Sequence, residues 1–236
     1  MSQPKVVSRE QWLQARRELL AEEKRFTKLR DELTRKRQAM PWVEVETDYR
    51  FEGPEGEVSL ADLFGARSQL IVQHFMYGAD WGEGCPICSF WADNFDGTLV
   101  HLAARDIAFV VVSAAPLAKL EAYKARMGWS FPWVSSGGSS FNRDYHVSFT
   151  KAEVESGTLR YNYKDDNSFP SPEAPGISVF SKDEAGKVFH TYSCYSRGLD
   201  MLNGAYHYMD LTPKGRDEDG LPYSMAWLRR HDQYES

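Results

Sequence analysis

Cysteine is scarce in this sequence. Only three occur among 236 residues, at Cys85, Cys88 and Cys194. So few thiols exclude a scaffold held together by disulfides, and a chain of this length with 42% hydrophobic residues can form a core without them. Cys85 and Cys88 are nevertheless a close pair, and such a pair in a reducing compartment indicates redox or metal chemistry.

Long apolar runs and an excess of basic residues are also missing. The start, residues 1–5, lacks the basic and apolar segments of a secretory signal, and no apolar stretch has the length that crosses a bilayer. The formal net charge of -6 argues against binding to nucleic acid phosphates. We therefore expect a soluble cytoplasmic protein with no membrane and no nucleic acid partner.

Residues 8 to about 37 have the pattern of one long amphipathic helix. Ser8 and Gln11 form a capping box, and Pro41 marks the end of the helical segment. The apolar residues recur near helical spacing: Trp12, Ala15, Leu19, Phe26, Leu29 and Leu33. We predict an N-terminal helical extension over residues 1–41, a main domain over 42–212 and a C-terminal tail over 213–236, and the extension could mediate a homodimer.

The main domain reads as alternating strands and helices. A hairpin is predicted around residues 53–56, buried strands over 69–76 and 107–113, and helices over 89–105 and 117–127. This alternation implies parallel strands joined by right-handed crossovers. We expect loops over 133–144 and 165–175, a hairpin formed by 177–180 and 187–192, and a closing helix over 199–210.

The order of these segments resembles thioredoxin-like and peroxiredoxin-like proteins, with a cysteine pair that opens a helix after a buried strand. More specific motifs resemble the bacterial thioredoxin-like family named domain of unknown function 899, over nearly the whole chain. These motifs are Gly84-Cys85-Pro86-Ile87-Cys88-Ser89-Phe90-Trp91-Ala92-Asp93, Met127-Gly128-Trp129, Phe141-Asn142 and His190-Thr191-Tyr192-Ser193. The resemblance implies an α/β fold with a central mixed sheet flanked by helices, preceded here by the long N-terminal helix. It does not specify the reaction.

The Cys-Pro-Ile-Cys pair predicts a thiol-disulfide oxidoreductase. The positive end of a helix stabilises a thiolate on the first thiol, so Cys85 is the expected nucleophile and Cys88 the resolving thiol. Its partners would be a disulfide or small-molecule substrate and a thiol reductant. The ordinary alternative is a pair of buried, inert thiols.

Metal binding is the main rival hypothesis. Cys85 and Cys88 could bind copper or zinc together with His74 or His190, because thiolate and imidazole are ligands of both metals. A second Cys-x-x-Cys motif, typical of a structural zinc site, is absent from the sequence. Two further alternatives remain: a thiol peroxidase, although no threonine lies three residues before Cys85, and a non-enzymatic binding module.

Several residues could support the cysteine pair. The resemblance implies that Pro175 is a cis-proline facing the thiols, although an ordinary trans loop proline is the alternative. Strict alternation along residues 188–195 predicts that His190, Tyr192 and Cys194 share one face, where they could supply a proton donor or ligand. Trp81 could form a wall of a substrate pocket, although packing in the core would explain it equally well.

Overall fold

The computed structural model describes residues 5–235, which form two compact units that divide between Pro41 and Trp42. The first unit is helix α1, Arg9–Gln38. It begins as predicted: the Ser8 side chain accepts a hydrogen bond from the Gln11 amide, and the Gln11 side chain accepts one from the Ser8 amide. No residue of α1 is buried.

The second unit is built around an eight-stranded mixed sheet. Strands β4, β5 and β6 are parallel neighbours, and the other pairings are antiparallel. The sheet has the order β1-β10-β9-β4-β5-β6-β2-β3, with β1 Val43–Glu44, β2 Arg50–Gly53, β3 Gly56–Ser59, β4 Gln69–His74, β5 Ile107–Ser113, β6 Trp133–Ser135, β9 Gly176–Lys182 and β10 Val188–Tyr195. A separate hairpin contains β7 Leu159–Tyr161 and β8 Lys164–Asn167.

Helices cover both faces of this sheet. They are α2 Pro86–Ala92, α3 Asp96–Ala103, α4 Leu117–Met127, α5 Phe141–Asp144, α6 Lys151–Ser156 and α7 Gly204–Met209, with 3-10 helices at Asp62–Phe64, Ser196–Leu202 and His231–Gln233. The crossovers from β4 to β5 and from β5 to β6, together with the β9–β10 hairpin, confirm the predicted thioredoxin-like α/β fold. Within residues 5–235, none of the helices combines the length and apolar character needed to cross a membrane.

The side chains of β4 divide the core into two clusters, because successive residues of a strand point to opposite faces. Ile71 packs with the cluster that contains Cys85 and Cys88, and we call this side the cysteine face. Leu70 and Val72 pack on the other side with the aromatic rings around α5, and we call it the histidine face because His74 lies there. Helices α2 and α4 contribute buried residues to the cysteine face.

The structure differs from the predicted elements in four places. The helix predicted over 89–105 is split into α2 and α3, because the Asn94 side chain donates hydrogen bonds to the carbonyls of Phe90 and Trp91 and competes with the helical backbone. The segment 133–144, predicted as loop, contains β6 and α5. Strand β8 extends into the segment predicted to be irregular after residue 165, and the closing helix is a 3-10 helix followed by α7.

Candidate functional site

The cysteine pair lies where the chain leaves β4, crosses a loop and enters α2. Cys85 is the N-cap residue, and Pro86 is the first residue of the helix, where the missing amide of proline leaves no hydrogen bond unmade. Both thiols are reduced. Cys85 is 9% exposed and Cys88 is 4% exposed, so a reactant reaches them only through an opening in the surrounding side chains.

The backbone of Met76 holds both cysteines. Its carbonyl accepts a hydrogen bond of 3.0 Å from the Cys85 amide, and its amide donates one of 3.4 Å to the Cys88 sulfur. Met76 follows β4 by two residues, so these two bonds fix the first turn of α2 against the end of the central strand.

The two thiols have different proton affinities. A hydrogen bond from the Cys88 thiol lowers the pKa of Cys85 to about 7, helped by the backbone amides of Cys88 and Ile87 and by the positive charge of Arg230, although burial opposes the change. Burial raises the pKa of Cys88 well above its ordinary value, as does its hydrogen bond to Cys85. Near neutral pH, about half of the Cys85 thiol is therefore ionised, and Cys88 keeps its proton.

Arg230 connects the C-terminal segment to the cysteine turn. Its Nη2 donates a hydrogen bond of 2.7 Å to the Gly84 carbonyl, and its Nε donates one of 2.8 Å to the Tyr123 hydroxyl. The Ser89 hydroxyl donates to the Cys85 carbonyl, so the Tyr123 hydroxyl donates to Ser89 Oγ across 2.9 Å. The guanidinium thus reaches the cysteine turn directly and through two hydroxyl groups.

Glycine is required immediately before the pair. A Cβ atom at Gly84 would lie 2.8 Å from ring carbons of both Phe75 and Tyr123, which is too close for van der Waals contact. The two rings are buried and lie in the same cluster as the cysteines. Any larger residue at position 84 would displace them or Cys85.

A pocket of about 200 Å³ opens onto both cysteines. Its lining is mainly apolar: Met76, Ile87, Trp91, Tyr161, Phe169, Pro175, Leu199 and Met225, with Gln73, Ser196, Arg197 and Asp200 as the polar members. The side-chain amide of Gln73 donates to the His74 carbonyl at 3.4 Å. The Gln73 Oε1 atom is buried and has no hydrogen-bond partner among the described residues, which leaves an acceptor for a reactant.

A buried carboxyl group also acts on this site. Glu173 is 7% exposed, and burial raises its pKa to about 7, against the hydrogen bonds from Ser148 and Asn142. Its negative charge raises the pKa of Cys88. The side chain is held by the Ser148 hydroxyl, which donates a hydrogen bond of 2.7 Å.

Two of the predicted supporting residues, Pro175 and Trp81, lie near the cysteine pair. Pro175 lines the pocket, but its peptide bond is trans, like every peptide bond described in residues 5–235, so the expected cis-proline is wrong. Its carbonyl accepts a hydrogen bond of 2.8 Å from the Tyr161 hydroxyl. Trp81 packs against the cysteine cluster but does not line the pocket.

Both candidate histidines lie on the histidine face, away from the thiols. His74 Nε2 is 2.9 Å from Ser178 Oγ, Ser178 Oγ is 2.8 Å from Ser193 Oγ, and Ser193 Oγ is 2.7 Å from His190 Nε2. Burial lowers the pKa of His74 to about 3 and also lowers that of His190. The predicted proximity of these imidazoles to the cysteines is therefore wrong.

The predicted metal ligand set does not come together. Alternation along β4 directs His74 to the face opposite Cys85 and Cys88, and His190 faces the same way as His74. Among residues 5–235, no group of three or more histidine, cysteine, aspartate or glutamate side chains could hold a metal ion. The residues present do not fit a copper or zinc centre of the predicted composition.

A β-bulge explains why the predicted face of β10 is wrong. His190 is paired with Phe180 and Tyr192 with the next residue of β9, Val179, so Thr191 is an additional residue in β10. The extra residue reverses the alternation. His190 therefore lies on the histidine face of the sheet, whereas Tyr192 and Cys194 lie on the cysteine face.

Comparison with known proteins places the chain in a family. The family model described as "Bacterial protein of unknown function (DUF899)" matches residues 1–234. The chain belongs to this family. No curated protein matches it.

Three solved structures illustrate what the fold of this chain is similar to. Peroxiredoxin Q from Xanthomonas campestris (structure F4) is 14% identical with a TM-score of 0.49, over 70% of this chain and 95% of that one. Peroxidoxin BcpB from Mycobacterium tuberculosis is 16% identical with a TM-score of 0.45, over 69% and 93% of the two chains. A putative thiol:disulfide interchange protein DsbE from Chlorobium tepidum is 16% identical with a TM-score of 0.40, over 70% and 96%.

The sequence analysis did not single out two residues of the site, Arg230, which bonds to Gly84, and Gln73, which lines the pocket. It also missed Glu173, which lies outside the pocket lining and acts on Cys88 through its charge. Arg230 is remote in sequence, in a segment interpreted as a polar tail, and no local pattern connects it with Gly84. The sequence around Gln73 and Glu173, however, contains a pattern that could have indicated a site. A polar residue in the middle of a buried apolar strand, or beside a proline before such a strand, is unusual enough to indicate a site.

Proposed function

We propose that this chain is a thiol-disulfide oxidoreductase in which Cys85 is the nucleophile and Cys88 the resolving thiol. The observation that carries the proposal is the position of the pair: Cys85 is the N-cap of α2, Cys88 lies in its first turn, and both line one pocket. The lowered pKa of Cys85, about 7, agrees with this assignment. A nucleophile whose pKa lies near the working pH combines a large thiolate fraction with high reactivity.

The reaction transfers two electrons from the dithiol to a disulfide. The Cys85 thiolate attacks one substrate sulfur and forms a mixed disulfide, and the other substrate sulfur leaves as a thiolate that takes a proton from water. Cys88 then loses its proton to solvent and attacks the Cys85 sulfur. The second substrate thiolate leaves, and a Cys85–Cys88 disulfide remains until an external thiol reductant reduces it.

The pocket supports a small apolar reactant. Apolar side chains make up most of its lining, and about 200 Å³ of space accommodates a group somewhat larger than benzene, which fits a cavity of about 150 Å³. Gln73 Oε1 would accept one hydrogen bond from an N–H or O–H of that reactant. We therefore expect faster reaction with small, partly apolar disulfides that carry one such donor than with charged ones.

The test compares three cysteine variants by intact mass after oxidation with a small disulfide. The wild type should lose two hydrogens, and Cys88→Ser should retain a substrate adduct on Cys85. Cys85→Ser should lose disulfide reductase activity by at least about a thousandfold, because no other thiol has its position. Cys194→Ser is the matched control, since this thiol does not line the pocket, and it should behave like the wild type.

Two results would contradict the proposal. Full reductase activity in Cys85→Ser would remove the assigned nucleophile. An adduct that forms on Cys194 in the wild type while Cys85 and Cys88 stay reduced would show that the buried pair is inert.

A further inference from the structure

The apolar residues of α1 repeat at a strict interval of seven residues. Trp12, Leu19, Phe26 and Leu33 form one row, with exposed fractions of 51%, 54%, 64% and 46%. Leu29 extends the row on the same side, three residues after Phe26. A repeat of seven keeps one stripe facing a partner when two helices supercoil, which is the pattern of a coiled coil.

The exposed apolar row of α1, which we call the stripe, has the character of a surface that packs against another helix. Most of the stability of a helix in a protein comes from packing of its apolar side, and α1 buries no residue. An exposed row of large apolar side chains on a helix marks an interaction surface. We infer that this other helix is α1 of a second copy of this chain, and that the two helices are antiparallel.

The charges beside the stripe determine the direction. Glu18 and Arg25 precede two stripe residues and occupy heptad position g, whereas Glu23 and Arg30 occupy position e. In a parallel pair, position g faces e of the following heptad on the partner, so Glu18 would oppose Glu23 and Arg25 would oppose Arg30. Both contacts are repulsive, and one attractive contact, Glu32 with Arg37, stands against them.

The antiparallel pair reverses the sign of both contacts. Position g then faces g and position e faces e, so Glu18 opposes Arg25 of the second copy and Glu23 opposes Arg30 of the second copy. Each contact occurs twice because of the twofold symmetry. This arrangement also places Arg16 opposite Arg37 of the second copy, a repulsive contact. Attractive contacts therefore outnumber repulsive ones two to one in the antiparallel pair, and the ratio is reversed in the parallel pair.

The apolar contacts fit the same alignment. When the two helices overlap over their full length, Leu19 lies opposite Leu29 of the second copy and Leu33 lies opposite Ala15. Glu22 is the one polar residue near the middle of this seam, opposite Phe26. A polar residue in a seam lowers affinity and fixes alignment, so we expect a reversible dimer whose population depends on concentration.

Sedimentation equilibrium of the full chain, over about a hundredfold range of concentration, tests the dimer. The wild type should approach twice the monomer mass at the upper end. Leu19→Glu combined with Phe26→Glu should remain monomeric throughout. The control is Arg17→Gln with Lys24→Gln, which changes net charge by the same amount on the outer side of α1 and should leave dimerisation unchanged.

Charge reversal tests the direction. In the antiparallel pair, Glu18→Arg places two arginines opposite each other at two symmetric positions and should weaken dimerisation by about tenfold. Adding Arg25→Glu should restore it. A wild type that is monomeric at every concentration overturns the dimer, and tighter association of Glu18→Arg overturns the antiparallel direction, because a parallel pair would gain a contact with Glu23.

Discussion

Both faces of the central sheet bury titratable groups, but only the groups on the cysteine face line a pocket. On the histidine face, His74 and His190 are joined through two serine hydroxyls into a hydrogen-bonded chain within the core. On the cysteine face, Cys85 and Cys88 line a pocket, and the free acceptor of Gln73 lies beside them. The same three strands, β4, β9 and β10, support both arrangements.

This contrast shows that burial and a shifted pKa do not by themselves identify a reactive site. His74 has a pKa further from its ordinary value than Cys85 does, but its Nε2 bonds to Ser178, its Nδ1 is buried without a partner among the described residues, and its ring packs among aromatic side chains. The cysteine pair combines a shifted pKa with an opening to solvent. The opening separates the site from the structural network, because each face buries a polar atom without a partner among the described residues, Gln73 Oε1 on one and His74 Nδ1 on the other.

The largest expected effect concerns the histidine face and the pH dependence of stability. The pKa of His74 falls from 6.5 to about 3 on folding, so the unfolded chain binds a proton between these values and the folded chain does not. Above pH 6.5, His74 is neutral in both states and does not lower the free energy of unfolding. As the pH falls from 6.5 toward 3, protonation of His74 in the unfolded chain lowers the free energy of unfolding by about 1.4 kcal/mol per pH unit. Denaturant unfolding of His74→Gln should lack this slope.

His101→Gln provides the control for that measurement, because His101 is exposed on α3. Its unfolding free energy should follow the wild type across the same pH range. If His74→Gln retains the wild-type slope, folding does not lower the pKa of His74.

A smaller effect is expected from Arg230 on the cysteine face. Arg230→Gln removes the positive charge that lowers the pKa of Cys85, so this pKa should rise from about 7. The alkylation rate of Cys85 at neutral pH should fall by less than about tenfold, and its pH profile should shift toward alkaline pH. Arg229→Gln removes the neighbouring charge without the bond to Gly84 and should have less effect; an equal shift in both variants would exclude a specific role for Arg230.

The smallest effect is expected from Glu173. Its charge raises the pKa of Cys88, so Glu173→Gln should lower that pKa. The measurement is the pH dependence of Cys88 alkylation in a Cys85→Ser background, which removes the coupling between the two thiols. Glu155→Gln, at an exposed position of α6, is the matched control. An unchanged Cys88 profile in Glu173→Gln would show that the carboxyl group does not act on the thiol.

The elements with local signals could be predicted from the sequence. The capping box of α1, the apolar run of β4 and the cysteine pair before α2 each depend on residues close together in the chain, and each was confirmed. Strand β6 was missed because it has only three residues and is stabilised by pairing with β5 rather than by its own composition.

The parts of the site that could not be predicted depend on contacts between distant segments. Arg230 reaches Gly84 across 146 positions of the chain, and no periodicity encodes such a contact. The direction of His190 depended on a single extra residue in β10, and the alternation rule fails at a bulge. Sequence reasoning identified the cysteine pair as the candidate site, whereas the groups that surround the pair came from the tertiary structure.

The bulge at Thr191 also has a consequence for evolution and for alignment. A deletion of Thr191 would restore regular pairing and leave every later residue of β10, including Cys194, on its present face, because Tyr192 would remain opposite Val179. Relatives that lack the bulge would therefore need a gap at this point before their residues could be equated with those of this chain. An ungapped alignment through β10 would equate residues that face opposite sides of the sheet.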